Sequence, residues 1–270
     1  IMVRLIHTNL CNVKEKKMSI YIVTHKKYNF PRMKNYIPIQ VGAAYHEDLG
    51  FCKDSEGDNI SLKNPHYCEL TALYFMWKNT NDNIIGLTHY RRYFCNKKTL
   101  TPLKHILSYD DAANILKKYD IIVPYKMHRQ GKTIRQDYEI NHNIRDYDEC
   151  RKIIIKYFPK YKESFDRVSD SKDLYQYNMF ITKRAVFDSY CSWLFKILFE
   201  LEKRIDISNY DKYNSRVYGF LSERLFNVWL DYNKQLKVKK FEVYNIEENK
   251  LSLLKANIKN IIKPIIGIER

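Results

Sequence analysis

Apolar positions along the chain follow two alternating patterns. Short apolar runs at Ser19 to Thr24, Ile84 to Phe94, Asp120 to Pro124, Tyr177 to Thr182 and Leu236 to Tyr244 read as buried strands. Between them, spacings of three and four mark helices. Phe187, Tyr190, Cys191, Leu194, Ile197, Leu198, Leu201 and Ile205 outline the clearest one, from Arg184 to Arg204. Tyr67, Leu70, Leu73, Tyr74 and Trp77 outline another, with Asn64 as its cap and Pro65 in its first turn. Ser108, followed by Asp110 and Asp111, opens a third. Residues 147–169 hold two helices divided by Pro159, and Gly219 to Leu230 carries a further apolar stripe. Tyr36 to Ala44 and Gly57-Asp58-Asn59 read as loops. Residues 126–146 have little period and read as a mobile loop or an acceptor-binding insertion.

This alternation predicts an α/β fold with a mostly parallel central sheet flanked by helices. One domain spans 18–245, after an extension at 1–17. Residues 246–270 follow it. In this tail Leu251 to Ile262 interleaves apolar residues with Lys255 and Lys259, which predicts a C-terminal basic amphipathic helix. Such a helix suits an anionic membrane surface or packing on the domain.

Composition narrows the function. The chain has 270 residues, 45% of them hydrophobic, enough for a full core. Its net charge of +16 points to an anionic partner, although lysines in ones and twos are equally a solvated face. No RNP-type or KH-type stretch occurs, so an RNA-binding module is the weaker reading and no nucleic acid is expected. GxGxxG and GxxxxGK[ST] are absent, which argues against a Rossmann dehydrogenase and a P-loop NTPase. Six dispersed cysteines contain no CxxC pair and fit a reducing cytoplasm, with Cys68 and Cys191 on apolar helix faces. No apolar run of about 18 residues is present to span a membrane.

The candidate chemistry centres on Ile84-Ile85-Gly86-Leu87-Thr88-His89-Tyr90-Arg91-Arg92-Tyr93-Phe94. A buried strand ending in imidazole, phenol and guanidinium groups places them at a sheet edge where α/β folds bind ligands. His89, Tyr90, Arg91 and Arg92 then hold a diphosphate, or they are ordinary solvated charges. Strand alternation directs His89 and Arg91 to the ligand and leaves Arg92 in a structural ion pair. Thr24, His25, Lys26 and Tyr28 end the first strand, where Tyr28 could stack on a base and His25 or Lys26 touch phosphate. Asp137, Glu139 and His142 match no strong metal motif.

Several stretches together resemble one family: Ile20-Tyr21-Ile22-Val23-Thr24-His25-Lys26, Tyr36-Ile37-Pro38-Ile39-Gln40-Val41-Gly42-Ala43-Ala44, Gly57-Asp58-Asn59-Ile60-Ser61, Tyr67-Cys68-Glu69-Leu70-Thr71, His89-Tyr90-Arg91-Arg92-Tyr93-Phe94, Tyr177-Asn178-Met179-Phe180-Ile181 and Gly219-Phe220-Leu221-Ser222-Glu223-Arg224-Leu225. The chain is similar to the bacterial capsular and exopolysaccharide glycosyltransferases formerly grouped as a domain of unknown function. The resemblance covers about residues 19–245 and departs from the family at 1–17 and 126–146. It implies a GT-A-like fold that transfers a hexose, galactofuranose first, from a UDP-sugar with inversion. The acceptor it implies is a lipid-linked saccharide or oligosaccharide.

Further roles follow from the resemblance. Gln40, Asp58 and Asn59 join the donor site, while Asn178, Ser222 and Arg224 hold the acceptor. Glu223 becomes the base, with Asp58 and Glu69 as rival carboxylates. The strand that would end in a metal-binding D-x-D ends here in His89-Tyr90-Arg91. Metal-independent catalysis is therefore expected, with Mn or Mg as the alternative cofactor. The location expected is cytoplasmic, peripheral on the inner face of the plasma membrane. A catalytically inactive assembly scaffold and a retaining enzyme of the same fold stay open as alternatives.

Overall fold

A computed structural model describes residues 18–96 and 102–247. The expected extension at 1–17 and the helix at 251–262 lie outside those residues.

The strands are β1 (Met18–Thr24), β2 (Tyr36–Gln40), β3 (Cys52–Lys53), β4 (Ile84–His89), β5 (Arg92–Cys95), β6 (Ile121–Pro124), β7 (Met127–His128), β8 (Asp173–Leu174), β9 (Phe180–Lys183) and β10 (Val238–Asn245). The helices are α1 (Asn64–Tyr67), α2 (Leu70–Asn79), α3 (Tyr109–Leu116), α4 (Ile134–Asn141), α5 (Ile144–Tyr157), α6 (Lys162–Asp170), α7 (Arg184–Glu202) and α8 (Val217–Tyr232). Apart from the small β7–β8 ribbon, the strands form one sheet.

The sheet is mixed, which corrects the mostly parallel expectation. β3, β2, β1 and β4 run parallel, side by side. The second edge of β4 is then divided. Its first half, Ile84 to Leu87, pairs antiparallel with β9, while His89 pairs antiparallel with Arg92 of β5. β9 continues antiparallel to β6, β6 runs parallel to β10, and β10 runs antiparallel to β5. At Tyr90-Arg91 the chain turns straight back instead of crossing over a helix, which sets β5 antiparallel to β4. Gly86 lets β9 approach, since a Cβ there would stand 2.9 Å from Ile181 Cγ1.

All of β1 is buried, but its alternate residues serve different cores. Tyr21 and Val23 pack with α2, α5, α7 and α8. Met18, Ile20 and Ile22 pack on the other face with α3, β5 and β10. Helices thus cover both sides of the sheet, and only strand ends are left for a ligand.

Four local differences from the sequence pattern matter. Tyr36–Gln40 is a strand rather than a loop. Pro38 is tolerated because Val41 and its alternates donate toward β1, so the Pro38 nitrogen faces the β3 side beyond that strand's two pairs. Residues 126–146 hold β7 and α4 rather than a loop, and α4 opens on a capping box between Thr133 and Gln136. The helix expected from Asn64 breaks at Cys68, whose φ is +53°. Asn64 does not cap the helix start; its amide donates to the Cys68 carbonyl at 2.7 Å. Cys68 therefore lies at a corner and not on a helix face, whereas Cys191 is buried in α7.

A candidate carboxylate and guanidinium site

The carboxyl ends of β1 and β4 meet the beginnings of α2 and β9 and the first half of α8. Because β9 runs antiparallel to β4 and begins opposite Leu87, the residues just before it lie beyond the end of β4. Those residues are Tyr177 and Asn178, with φ of +77° and +50°. Non-glycine residues held there cost about 1–3 kcal/mol each and persist only when their surroundings enforce them. Cys68, beside Glu69, is a third such residue.

The contacts that enforce this turn are specific. His89 Nε2 lies 2.6 Å from the Tyr177 carbonyl. A carbonyl only accepts, so His89 carries its proton on Nε2. The Tyr177 N–H donates to Glu223 Oε1 at 2.9 Å. The Asn178 amide nitrogen donates to Glu69 Oε1 at 2.7 Å and to Ser222 Oγ at 2.8 Å. Asn178 is only 2% exposed, and its Oδ1 has no partner. One strained turn thus links β4, α2 and α8, and it gathers two glutamates that stand far apart in sequence.

Electrostatics set the state of each group. Burial raises the Glu223 carboxyl above its usual range; Arg224 opposes this and Glu69 adds to it. Burial also raises Glu69, opposed by the Asn178 hydrogen bond and by Arg216 and Arg92. Burial lowers His89 to about 4, opposed by its bond to Tyr177 and aided by Arg92. His89 is therefore neutral at pH 7. The unfolded chain takes up this proton first as pH falls, so the stability gained from a neutral His89 is complete above about 6.5 and lost toward about 4. Thermal midpoints taken from pH 7 to 4.5 should fall less steeply in His89→Gln, which keeps a donor for Tyr177. Parallel curves would reject a neutral buried imidazole.

The cations divide into paired and unpaired. Arg91 Nη1 binds Glu247 at 2.9 Å, and Lys26 lies 3.9 Å from the same carboxylate. Arg92 is half-buried with its guanidinium 4.4 Å over the Tyr177 ring, and it has no carboxylate partner among the described residues. The ion pair expected of Arg92 thus belongs to Arg91, because the turn at Tyr90-Arg91 cancels strand alternation. Arg216 reaches Cys68 Sγ at 3.2 Å and lies over the Phe220 ring. Exposed His25 feels Lys26, Arg91, His46 and Arg216, so cations from separate loops share this mouth. Tyr28 packs edge-on against Tyr90, with Lys26 over both rings.

Other expected donor residues are engaged elsewhere. Thr24 is buried and donates its hydroxyl to the Lys26 carbonyl. Gln40 is buried, with its amide tied to Glu47 and Leu49. Asp58 binds Tyr74 and Asn79, toward the far end of α2. Those partners stand about 7 to 15 Å along the helix from Glu69. Asn59 closes its own turn onto Ser55 and Gly57. On the acceptor side, Arg224 is buried against Asp137, Glu223 and the Phe220 carbonyl, so it braces Glu223 rather than facing a ligand. Ser222 is buried and donates to Gly219.

Asp137 pairs with Arg129 and Arg224, and His142 faces Asn214. Among the described residues, no three His, Cys, Asp or Glu side chains gather in metal-binding geometry. The same residues contain no helix long and apolar enough to cross a membrane.

Sequence reasoning passed over several residues here. Asp54 is wholly buried and receives the N–H groups of Gly42 and Ala43, which fixes the loop after β2. Arg216 and Tyr177 had no signal in periodicity. His142, Phe220 and Tyr213 form a stack, with Phe220 4.2 Å from His142 and 4.9 Å from Tyr213. Tyr213 is 54% exposed, and Phe220 precedes Glu223 by one helical turn.

Residues 19–235 match the family described as a domain of unknown function, DUF4422. A search of curated proteins gives no match. Among solved structures, the fold superposes on the WbbM bifunctional glycosyltransferase in its apo form with a TM-score of 0.80 and 32% identity. The match covers 86% of this chain and 46% of WbbM, so the chain spans less than half the length of that enzyme.

Proposed function

We propose that this chain, which belongs to the DUF4422 family, is a glycosyltransferase that moves a hexose from a UDP-sugar to a hydroxyl of a growing surface polysaccharide. Galactofuranose is the leading donor sugar, and the transfer inverts the anomeric centre. The observation that carries this reading is the meeting of two half-buried carboxylates, Glu69 and Glu223, with half-buried Arg92 and exposed Arg216 at the carboxyl ends of β1 and β4. The likeness to a bifunctional glycosyltransferase supports it.

In this mechanism the acceptor hydroxyl attacks the anomeric carbon. Its proton passes to Glu223, the bond from that carbon to the diphosphate oxygen breaks, and the electron pair leaves on UDP. A half-buried carboxylate with raised affinity for protons suits the base. Arg92 and Arg216 neutralise the leaving diphosphate, since guanidinium binds phosphate oxygens through paired hydrogen bonds. The Tyr213–Phe220–His142 stack offers the acceptor sugar an apolar face one helical turn from Glu223.

A divalent metal in a fold of this type would need carboxylate oxygens at the end of β4. β4 itself ends in imidazole and guanidinium, and Glu69 and Glu223 beside it join no group of three potential ligands among the described residues. The residues do not fit a metal, and we assign the charge compensation to Arg92 and Arg216. Calorimetry with UDP should show binding that survives EDTA, and product analysis with a UDP-hexose should show transfer. Binding seen only with Mn²⁺ would end the metal-free reading. No binding with or without metal would end the transferase reading and leave an assembly scaffold.

A further inference from the structure

Glu69 lies at the corner where α1 breaks and α2 begins, and it is the N-cap residue of α2. The break at Cys68 is what aims it inward; in an unbroken helix from Asn64 it would follow the helix surface. Its Oε1 accepts from Asn178, the residue that also binds Ser222 beside Glu223. The next residue in the other direction, Tyr177, binds Glu223 itself. Two neighbouring residues of one strained turn thus each hold a different carboxylate. Buried Asn178 gives its amide nitrogen to Glu69 and Ser222, and its Oδ1 has no partner.

We propose that Glu69 is a positioning carboxylate for Glu223: its negative charge, held in place through Asn178, makes Glu223 a stronger base toward the acceptor hydroxyl. This inference rests on the transferase reading and assigns a second acidic group to the same site. In the transfer step Glu69 keeps its charge. The proton leaves the acceptor oxygen and bonds to Glu223, and the neutral acid so formed is favoured by the anion beside it.

The surrounding charges permit this. Glu223 faces Arg224 and Arg129 on its outer side, and both favour its ionised form. Glu69 faces Arg216 and Arg92, which favour its ionised form against burial, while the Cys68 thiol beside it is neutral, pushed up to about 11 by burial. Neutral His89 adds no charge to either. The cations therefore sort the pair: those that also face the diphosphate stand next to Glu69, and those committed to Asp137 brace Glu223. Burial raises the proton affinity of both carboxylates, and the charge of Glu69 adds to that effect at Glu223.

Carboxyl ¹³C NMR of the whole chain with labelled glutamate tests this without any substrate, with Glu223→Gln fixing the assignment. In Glu69→Gln the Glu223 midpoint should fall by about one pH unit or more, and Glu69→Asp should retain most of the wild-type value. Reciprocally, Glu223→Gln should lower the Glu69 midpoint by the same amount. This second reading stands even if Glu69→Gln does not fold. A Glu223 midpoint indifferent to Glu69→Gln, or a Glu69 midpoint indifferent to Glu223→Gln, overturns the proposal. In a transfer assay, the acid limb of kcat/KM should move down in Glu69→Gln and return in Glu69→Asp, which a purely structural role would not produce. Coupled titration in a protein that transfers no sugar would remove the transferase reading and leave the carboxylate pair standing.

Discussion

Glu223→Gln is expected to lower sugar transfer by about 10²–10⁴-fold, the usual worth of a general base, while UDP affinity stays within a few-fold of wild type. The fold should tolerate the change. Glutamine keeps an oxygen for the Tyr177 N–H, now 2.9 Å from Glu223 Oε1. It also removes a charge that burial disfavours, as the raised proton affinity of Glu223 shows. The cost falls at Arg224, whose Nη1 lies 3.3 Å from Oε2 and would meet an amide. Arg224 retains Asp137 and the Phe220 carbonyl, so the thermal midpoint should move by only a few degrees. Turnover with UDP release, calorimetry and a melting curve decide the matter together. Full turnover in a folded Glu223→Gln protein would remove the base assignment and move attention to Glu69.

Arg92→Ala carries the second large effect. Its guanidinium is half-buried on the Tyr177 ring and meets no carboxylate among the described residues, so its charge is available to an anion. Charge-assisted hydrogen bonds are worth about 1.5–3 kcal/mol, which predicts a UDP affinity roughly 10- to 150-fold weaker. Arg92→Lys should recover little, because an ammonium cannot reproduce the planar fork or its stacking on Tyr177. Arg91→Ala should matter less, since Glu247 already balances that charge at 2.9 Å. Calorimetry at one salt concentration ranks the three variants. The reverse order would place the diphosphate at the Arg91–Lys26 side of the mouth.

Much of the frame was legible in the sequence because burial writes its own period. Strands β1, β4, β6, β9 and β10 stand near the apolar runs that mark them, and α7 follows its three-and-four spacing. The stretch at His89 was identified as a strand end carrying cations, and Glu223 as a carboxylate on an apolar helix. These are local properties, fixed by which side chains must leave water.

Tertiary structure decided which of those groups meet. Alternation along an extended strand leaves Arg92 for an ion pair, but after the turn at Tyr90-Arg91 it is Arg91 that pairs with Glu247, while Arg92 lies on the Tyr177 ring. Helical spacing carries the chain straight from Asn64 through Trp77, but the positive φ of Cys68 breaks it and swings Glu69 inward. Gln40 and Asn59 look like ligand-reading amides until their hydrogen bonds to neighbouring loops are seen. Tyr177 and Asn178 carry no glycine to announce their left-handed backbone. Such conformations are held by His89, Glu69, Ser222 and Glu223, which reach the turn from other elements. The sequence by itself determined the core, the longer strands and helices, and the chemical groups available. Their convergence depended on long-range contacts that offset local strain, and those contacts exist only after the sheet has closed around β4.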